Sequence, residues 1–146
     1  MFKQGKIPEG GVTMEYFIKL NAVSLLYALM VFIPIELLVN VYRISRMTDW
    51  EIGTVNILTG VTFIVEIIAG TLLISHLTKK WLSGRKAKLW TVLLWVLYFA
   101  LFIYLFAFLF PITYGGDAPN PVTGLMVITG LTAYPFYILI LNVYDY

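Results

Sequence analysis

Four long apolar runs divide the chain, and short polar stretches separate them. The runs cover residues 17–41, 52–77, 89–110 and 122–143. Each is continuous, without the alternation of a half-buried strand, and each reaches the ~20 residues a helix needs to cross a hydrocarbon core. A membrane barrel would instead need about eight or more alternating strands. Of the separating stretches, 42–51 and 78–88 carry charge, while 111–121 is rich in Pro and Gly. Connections this short force consecutive helices to pack antiparallel. The pattern predicts an all-α integral membrane protein, an up-down bundle of four transmembrane helices forming a single membrane domain over 1–146.

Composition agrees with the pattern. The chain is 60% hydrophobic and 12% charged, where soluble domains carry about 25% charge. That balance excludes a soluble globular protein, a disordered tail and a nucleic-acid module. With no cysteine, thiolate catalysis and Cys-ligated metal centres are excluded as well. His76 is the only histidine, too few for bis-imidazole haem or a His-rich metal site. No motif for a cofactor or a metal is present. The first 16 residues are polar and Gly-rich, and the run that follows is long and ends in Asn40, Tyr42 and Arg43. A cleaved secretory signal is short and ends in small residues, so the first run reads as a retained span.

Lys and Arg set the expected orientation. Lys3, Lys6, Lys19, Lys79, Lys80, Arg85, Lys86 and Lys88 fall on one side, and only Arg43 and Arg46 on the other. This asymmetry predicts cytoplasmic N- and C-termini in a multi-pass protein of the cell (plasma) membrane. Trp81 and Trp90 mark the inner edge and Trp50 the outer one, as interfacial aromatics do. Residues 79–88 hold five of the ten basic side chains around Trp81. Lys79, Lys80, Trp81, Arg85, Lys86 and Lys88 are therefore expected to contact anionic lipid headgroups, at about 1 kcal/mol per charge. A docking site for a cytoplasmic partner is the alternative reading of the same segment.

The candidate chemistry lies in residues that break the apolar rule. Glu66 stands near the middle of the second run, where a charge costs about 3 kcal/mol on insertion scales. Asn56, Thr59, Gly60 and Gly70 share its side of a helix. This strip reads as an ion or ligand site, or as structural glue between helices. Glu36, with Asn40 four residues on, lies near the outer end of the first run. It reads either as an interfacial carboxylate paired with Arg43 or Arg46, or as the outer gate of a path leading to Glu66. At 1.5 Å rise per residue the two carboxyls are expected about 10–15 Å apart, too far for an acid/base pair in contact. Pro34 and Pro135 interrupt the first and fourth runs and free the carbonyls of Met30 and Leu131. In the third run Ala100, Tyr104 and Ala107 form the expected inward stripe, leaving most of that helix to lipid. Asp117, alone among turn formers, makes a poor ion-ligand set.

Two function classes follow. One is an ion-coupled or small-solute transporter that works as an oligomer, because four short helices rarely enclose a pathway alone. In size class, span number and possession of a membrane-embedded Glu the chain resembles the small multidrug-resistance transporters. Its Glu66 lies in the second span and the chain is longer, so no residue role is carried over. The other class is a non-catalytic accessory, regulatory or immunity-type subunit of a larger membrane complex. An enzyme would need a nucleophile or an acid/base pair within reach, which the separation of Glu36 from Glu66 opposes.

Overall fold

The computed structural model describes residues 14–82 and 86–144. Five helices make up the bundle: α1 (Met14–Val39), α2 (Val41–Thr48), α3 (Ile52–Leu77), α4 (Thr91–Leu109) and α5 (Pro121–Tyr144). Four of them are long and apolar enough to cross a membrane: α1, α3 with its continuation to Leu82, α4 with its lead-in from Lys86, and α5. Their directions alternate along the chain. The end that carries α2 and the α4–α5 loop is called the α2 end below.

The first apolar run was expected to continue to 41, but its helix stops at Val39. Asn40 leaves helical geometry at φ −100° and ψ 17°. Its Nδ2 donates both to the backbone oxygen of Glu36 and to Glu36 Oε2, each at 2.8 Å. An Asn side chain that satisfies the preceding turn competes with helix continuation, and the chain breaks there. The stretch read as a simple connection is instead the eight-residue helix α2, which is amphipathic. It stops at Asp49, in the left-handed region at φ 59°, a conformation Asp tolerates better than most residues.

Helix α1 is the hub. Of its apolar stretch 39% is buried, against 6%, 6% and 11% in α3, α4 and α5. Val23, Ser24, Tyr27 and Ala28 are fully enclosed. The small side chains of Ser24 and Ala28 let neighbours approach. On α3 a single stripe faces inward: Val55, Thr59 and Ile74 are buried, and Glu66 and Gly70 half-buried. Gly70 sits so close to α1 that a Cβ there would lie 2.8 Å from Met30 Sδ.

The inward face of α4 differs from expectation. Tyr104 is 67% exposed, and Ala100 and Ala107 also face outward. Thr91, Trp95, Tyr98, Phe102 and Phe106 turn inward instead. Phe32 of α1 packs on Phe102 and Phe106 with ring centroids at 5.6 and 6.1 Å. At this interface interlocking aromatic rings, rather than small residues, supply the dispersion contacts that hold helices together in lipid. Tyr98 Oη also donates to Asn21 Oδ1 at 2.6 Å. Near the other end of α4, Asn142 Nδ2 of α5 donates to Thr91 Oγ1 at 2.9 Å.

Asp117, read as isolated, is the anchor of the α2 end. Arg46 donates to it through both branches, Nε to Oδ1 at 2.9 Å and Nη2 to Oδ2 at 2.7 Å. Arg43 Nε lies 3.9 Å from Oδ2, and its Nη1 donates to the Phe110 carbonyl at 2.9 Å. The Arg46 guanidinium also lies over the Tyr114 ring, 5.1 Å from its centroid. The fork of hydrogen bonds from Arg46 holds the Asp117 carboxyl below its ordinary range, against the opposing effect of burial and aided by the charges of Arg46 and Arg43. A lowered folded-state pKa stabilises the loop above the unfolded value and loses that effect as pH falls through the folded one. The α4–α5 loop is therefore expected to stay clamped at neutral pH and to loosen only below the usual Asp range. Hydrogen exchange over 111–120 checks this: slow at pH 7, faster in strong acid, and fast at pH 7 in Asp117→Asn. Equal exchange in wild type and Asp117→Asn would mean that the ion pair does not hold the loop.

Candidate functional site

Helices α3 and α5 lean on α1 but hardly touch each other, which leaves a cleft between them floored by α1. At mid-bundle the cleft widens to a cavity of about 410 Å³ lined by Met30, Pro34, Phe63, Ile67, Gly130 and Tyr134, among others. A second cavity of about 370 Å³ adjoins it towards the α2 end, sharing Leu38 and Met126 with the first. Its polar lining comes from Tyr42, Asn56, Asn120 and Thr123.

A cluster of phenols borders the inner cavity. Tyr134 Oη donates to the Tyr27 carbonyl at 2.5 Å, one turn before the carbonyl that Pro34 frees. Its ring meets Trp95 edge-on at 4.9 Å and stacks on Tyr137 at 5.6 Å between centroids. Tyr137 hydrogen-bonds Thr71 of α3 and points its hydroxyl at Met30 Sδ, 3.8 Å away. Glu66 of α3 is half-buried. Its Oε2 is buried and makes no hydrogen bond among the described residues. A buried acceptor without a donor costs about 1–3 kcal/mol, more if charged. Most buried polar atoms in native proteins are satisfied.

The five sequence candidates fall into four places. Glu66 is half-buried on α3, outside the lining of both cavities, and Asn56 lines the outer one. Glu36 and Asn40 are joined to each other by the 2.8 Å bond already described. Both arginines expected as partners of Glu36 are engaged with Asp117 instead. Thr59 is buried and its hydroxyl donates to the Val55 carbonyl of its own helix at 2.9 Å.

Among the headgroup candidates, Lys79, Lys80 and Lys86 are exposed and Trp81 is half-buried. Lys88 differs: it is fully buried. It sits in the single 3₁₀ turn that leads into α4, packed under the end of α5, and this removes it from the surface. Arg85, like Lys3 and Lys6 of the orientation argument, lies outside the described residues. Tyr134 and Tyr137 were not singled out as site residues. Their spacing of three on one helix face, beside Gly130 and Pro135, is the signal that marks them.

No protein-family model, curated protein or solved structure matches this chain.

Proposed function

We propose that the protein is a small multi-pass carrier of the cell (plasma) membrane, moving an ion or small solute and working as an oligomer. The observation that carries this reading is the Glu66 carboxyl, which has a buried oxygen without a donor near the middle of a spanning helix. Intramembrane ionisable groups of this kind mark ion and substrate pathways. Glu66 is the binding group, Asn56 lines a polar cavity nearer the α2 end, and the Glu36–Asn40 pair is the gate at that end. Thr59, with its hydroxyl already bonded within α3, contributes packing to the same strip. Oligomerisation follows from the size of the bundle, since four spanning helices rarely enclose a pathway alone.

The α2 end faces outside and both termini face the cytoplasm. Lys79, Lys80 and Lys86 crowd the opposite end, and the two arginines of the α2 end are neutralised in part by Asp117. Lys79, Lys80, Trp81 and Lys86 rest against anionic headgroups of the inner leaflet.

One observation favours a second reading, an accessory subunit of a larger complex. The apolar faces of α3, α4 and α5 are largely unburied within the chain, and they suit a larger neighbour as well as lipid. Extraction in mild detergent together with flux into reconstituted vesicles tests the choice. The carrier reading expects a homo-oligomer whose vesicles pass protons or monovalent cations faster than protein-free vesicles. Recovery of a larger protein partner at fixed stoichiometry, with no flux from the purified chain, overturns it.

A further inference from the structure

The α3/α5 cleft is built differently at its two ends, and the difference describes a ligand. At mid-bundle its lining is almost wholly apolar, with Met30, Phe63, Ile67 and Met126 around the open space. Towards the α2 end the lining becomes amide and hydroxyl, from Asn56, Asn120, Tyr42 and Thr123. From Asn56 to Ile67 along α3 the distance is about 16 Å at 1.5 Å per residue. No charged side chain lines either cavity, and the two arginines at that end are taken by Asp117 and the Phe110 carbonyl.

The cleft is also held open by the fold. At one end Tyr137 of α5 is tied to Thr71 of α3. At the other, Asn120 Nδ2 donates to Tyr42 Oη at 2.7 Å. Between these ties the walls carry glycines where bulk would close the gap. A Cβ added at Gly60 or Gly130 would meet nothing within 4 Å. Asn120 is occupied, since its Oδ1 accepts from the Thr123 amide at 2.9 Å. Asn56 has no hydrogen-bond partner among the described residues, although it stands in the cleft wall of a membrane-spanning helix.

We propose that this cleft binds a single-chain amphiphile with an uncharged, hydroxyl- or ester-bearing head, entering sideways from the bilayer. The chain fills the inner cavity between Phe63 and Met126, and the head meets the Asn56 amide near the α2 end. Volumes of 370–410 Å³ lie within the range of small-molecule sites. The neutral head follows from the lining, because amides and hydroxyls complement carbonyl and hydroxyl groups but leave a full charge unpaired. This site stands whether or not the protein moves anything across the membrane.

A monoacylglycerol with a photoactivatable group on its acyl chain tests the proposal, using the full chain in phosphatidylcholine nanodiscs. Labelling is expected on Phe63, Ile67 and Met126, with an excess of unlabelled monoacylglycerol lowering it about tenfold. A fatty acid and an alkyl-trimethylammonium of the same chain length should compete poorly. Gly130→Phe, which fills open space, should cut labelling by a similar factor without changing thermal stability. Gly60→Phe serves as a second variant if Gly130→Phe does not fold, and Asn56→Leu should erase the preference for the neutral head. Labelling spread evenly over the outward face of α4, or unaffected by the glycine variants, overturns the proposal. So does conversion of an oligomer to single chains by Gly130→Phe, which would assign the cleft to a second copy.

Discussion

Tyr134→Ala is expected to be the most destabilising single substitution in the bundle, costing about 3 kcal/mol. The side chain does three things at once. Its ring fills the space between α1, α4 and α5, edge-on to Trp95 and Tyr27 and stacked on Tyr137. Its hydroxyl supplies the donor for the Tyr27 carbonyl, and its position supports one wall of the cleft. In lipid the transfer contribution to such a loss is small, because tails are as apolar as the ring. Most of the cost is therefore lost contact with a void left behind. Tyr134→Phe separates the parts: it keeps the ring and forfeits the hydrogen bond, for about 1 kcal/mol. Unfolding midpoints in mixed detergent micelles measure both. Equal, small losses in the two variants would show that the aromatic contacts do not support the bundle.

The division of labour around Tyr134 explains what could and could not be read in the sequence. The number of long apolar helices and their approximate extent were legible because spanning a membrane imposes a length and a composition on each segment separately. The inward strip of α3 was legible in part for a related reason, although Asn56 and Gly60, read as members of it, are exposed. Thr59, Glu66 and Gly70 are so unlike the Ile, Leu and Val around them that their helical phase stands out. No such contrast exists on α4, where every face is apolar. There the small residues Ala100 and Ala107 suggested the wrong face, since interlocking of Phe32 with Phe102 and Phe106 is a property of two helices together. Long-range polar pairing was hidden in the same way. Nothing local to Asp117 announces Arg46, 71 residues earlier, and nothing local to Lys88 announces the helix end that covers it. The break at Asn40 was closer to legible, because an Asn four residues after a Glu is a side chain able to satisfy the preceding turn.

The buried polar groups differ in how fully they are satisfied, and that difference separates structural roles from the proposed one. Asn142, Asn21 and Tyr98 each close a hydrogen bond between or within helices, which is how polar residues join helices in a membrane. Ser24 and Thr59 return their hydroxyls to the preceding turn. Among the described residues Glu66 Oε2 does neither, in common with Thr78 Oγ1, Trp95 Nε1 and Asn142 Oδ1, but Glu66 is the ionisable side chain of these four. A carboxyl kept for structure would be expected to have its acceptors used.

Glu66 substitutions therefore give the sharpest expected contrast between stability and function. Glu66→Leu removes a buried polar group that has an unmet acceptor and replaces it with a side chain suited to lipid. It is expected to leave the fold as stable as wild type or about 1 kcal/mol more stable. Glu66→Gln keeps the shape and is expected to be neutral for stability. Both are expected to lower proton or cation flux in vesicles by about a hundredfold, because neither side chain can take up and release a proton or hold a cation. Glu66→Asp retains the carboxyl on a shorter stem and should keep a measurable fraction of the flux. Gains in stability accompanied by loss of activity are the usual mark of a residue retained for function. If Glu66 is instead glue between helices, the pattern reverses. Glu66→Leu would then unfold at lower denaturant than wild type, and Glu66→Gln, which still hydrogen-bonds, would keep whatever flux the wild type has. Measuring unfolding midpoint and flux on the same preparations of the three variants decides between the two roles.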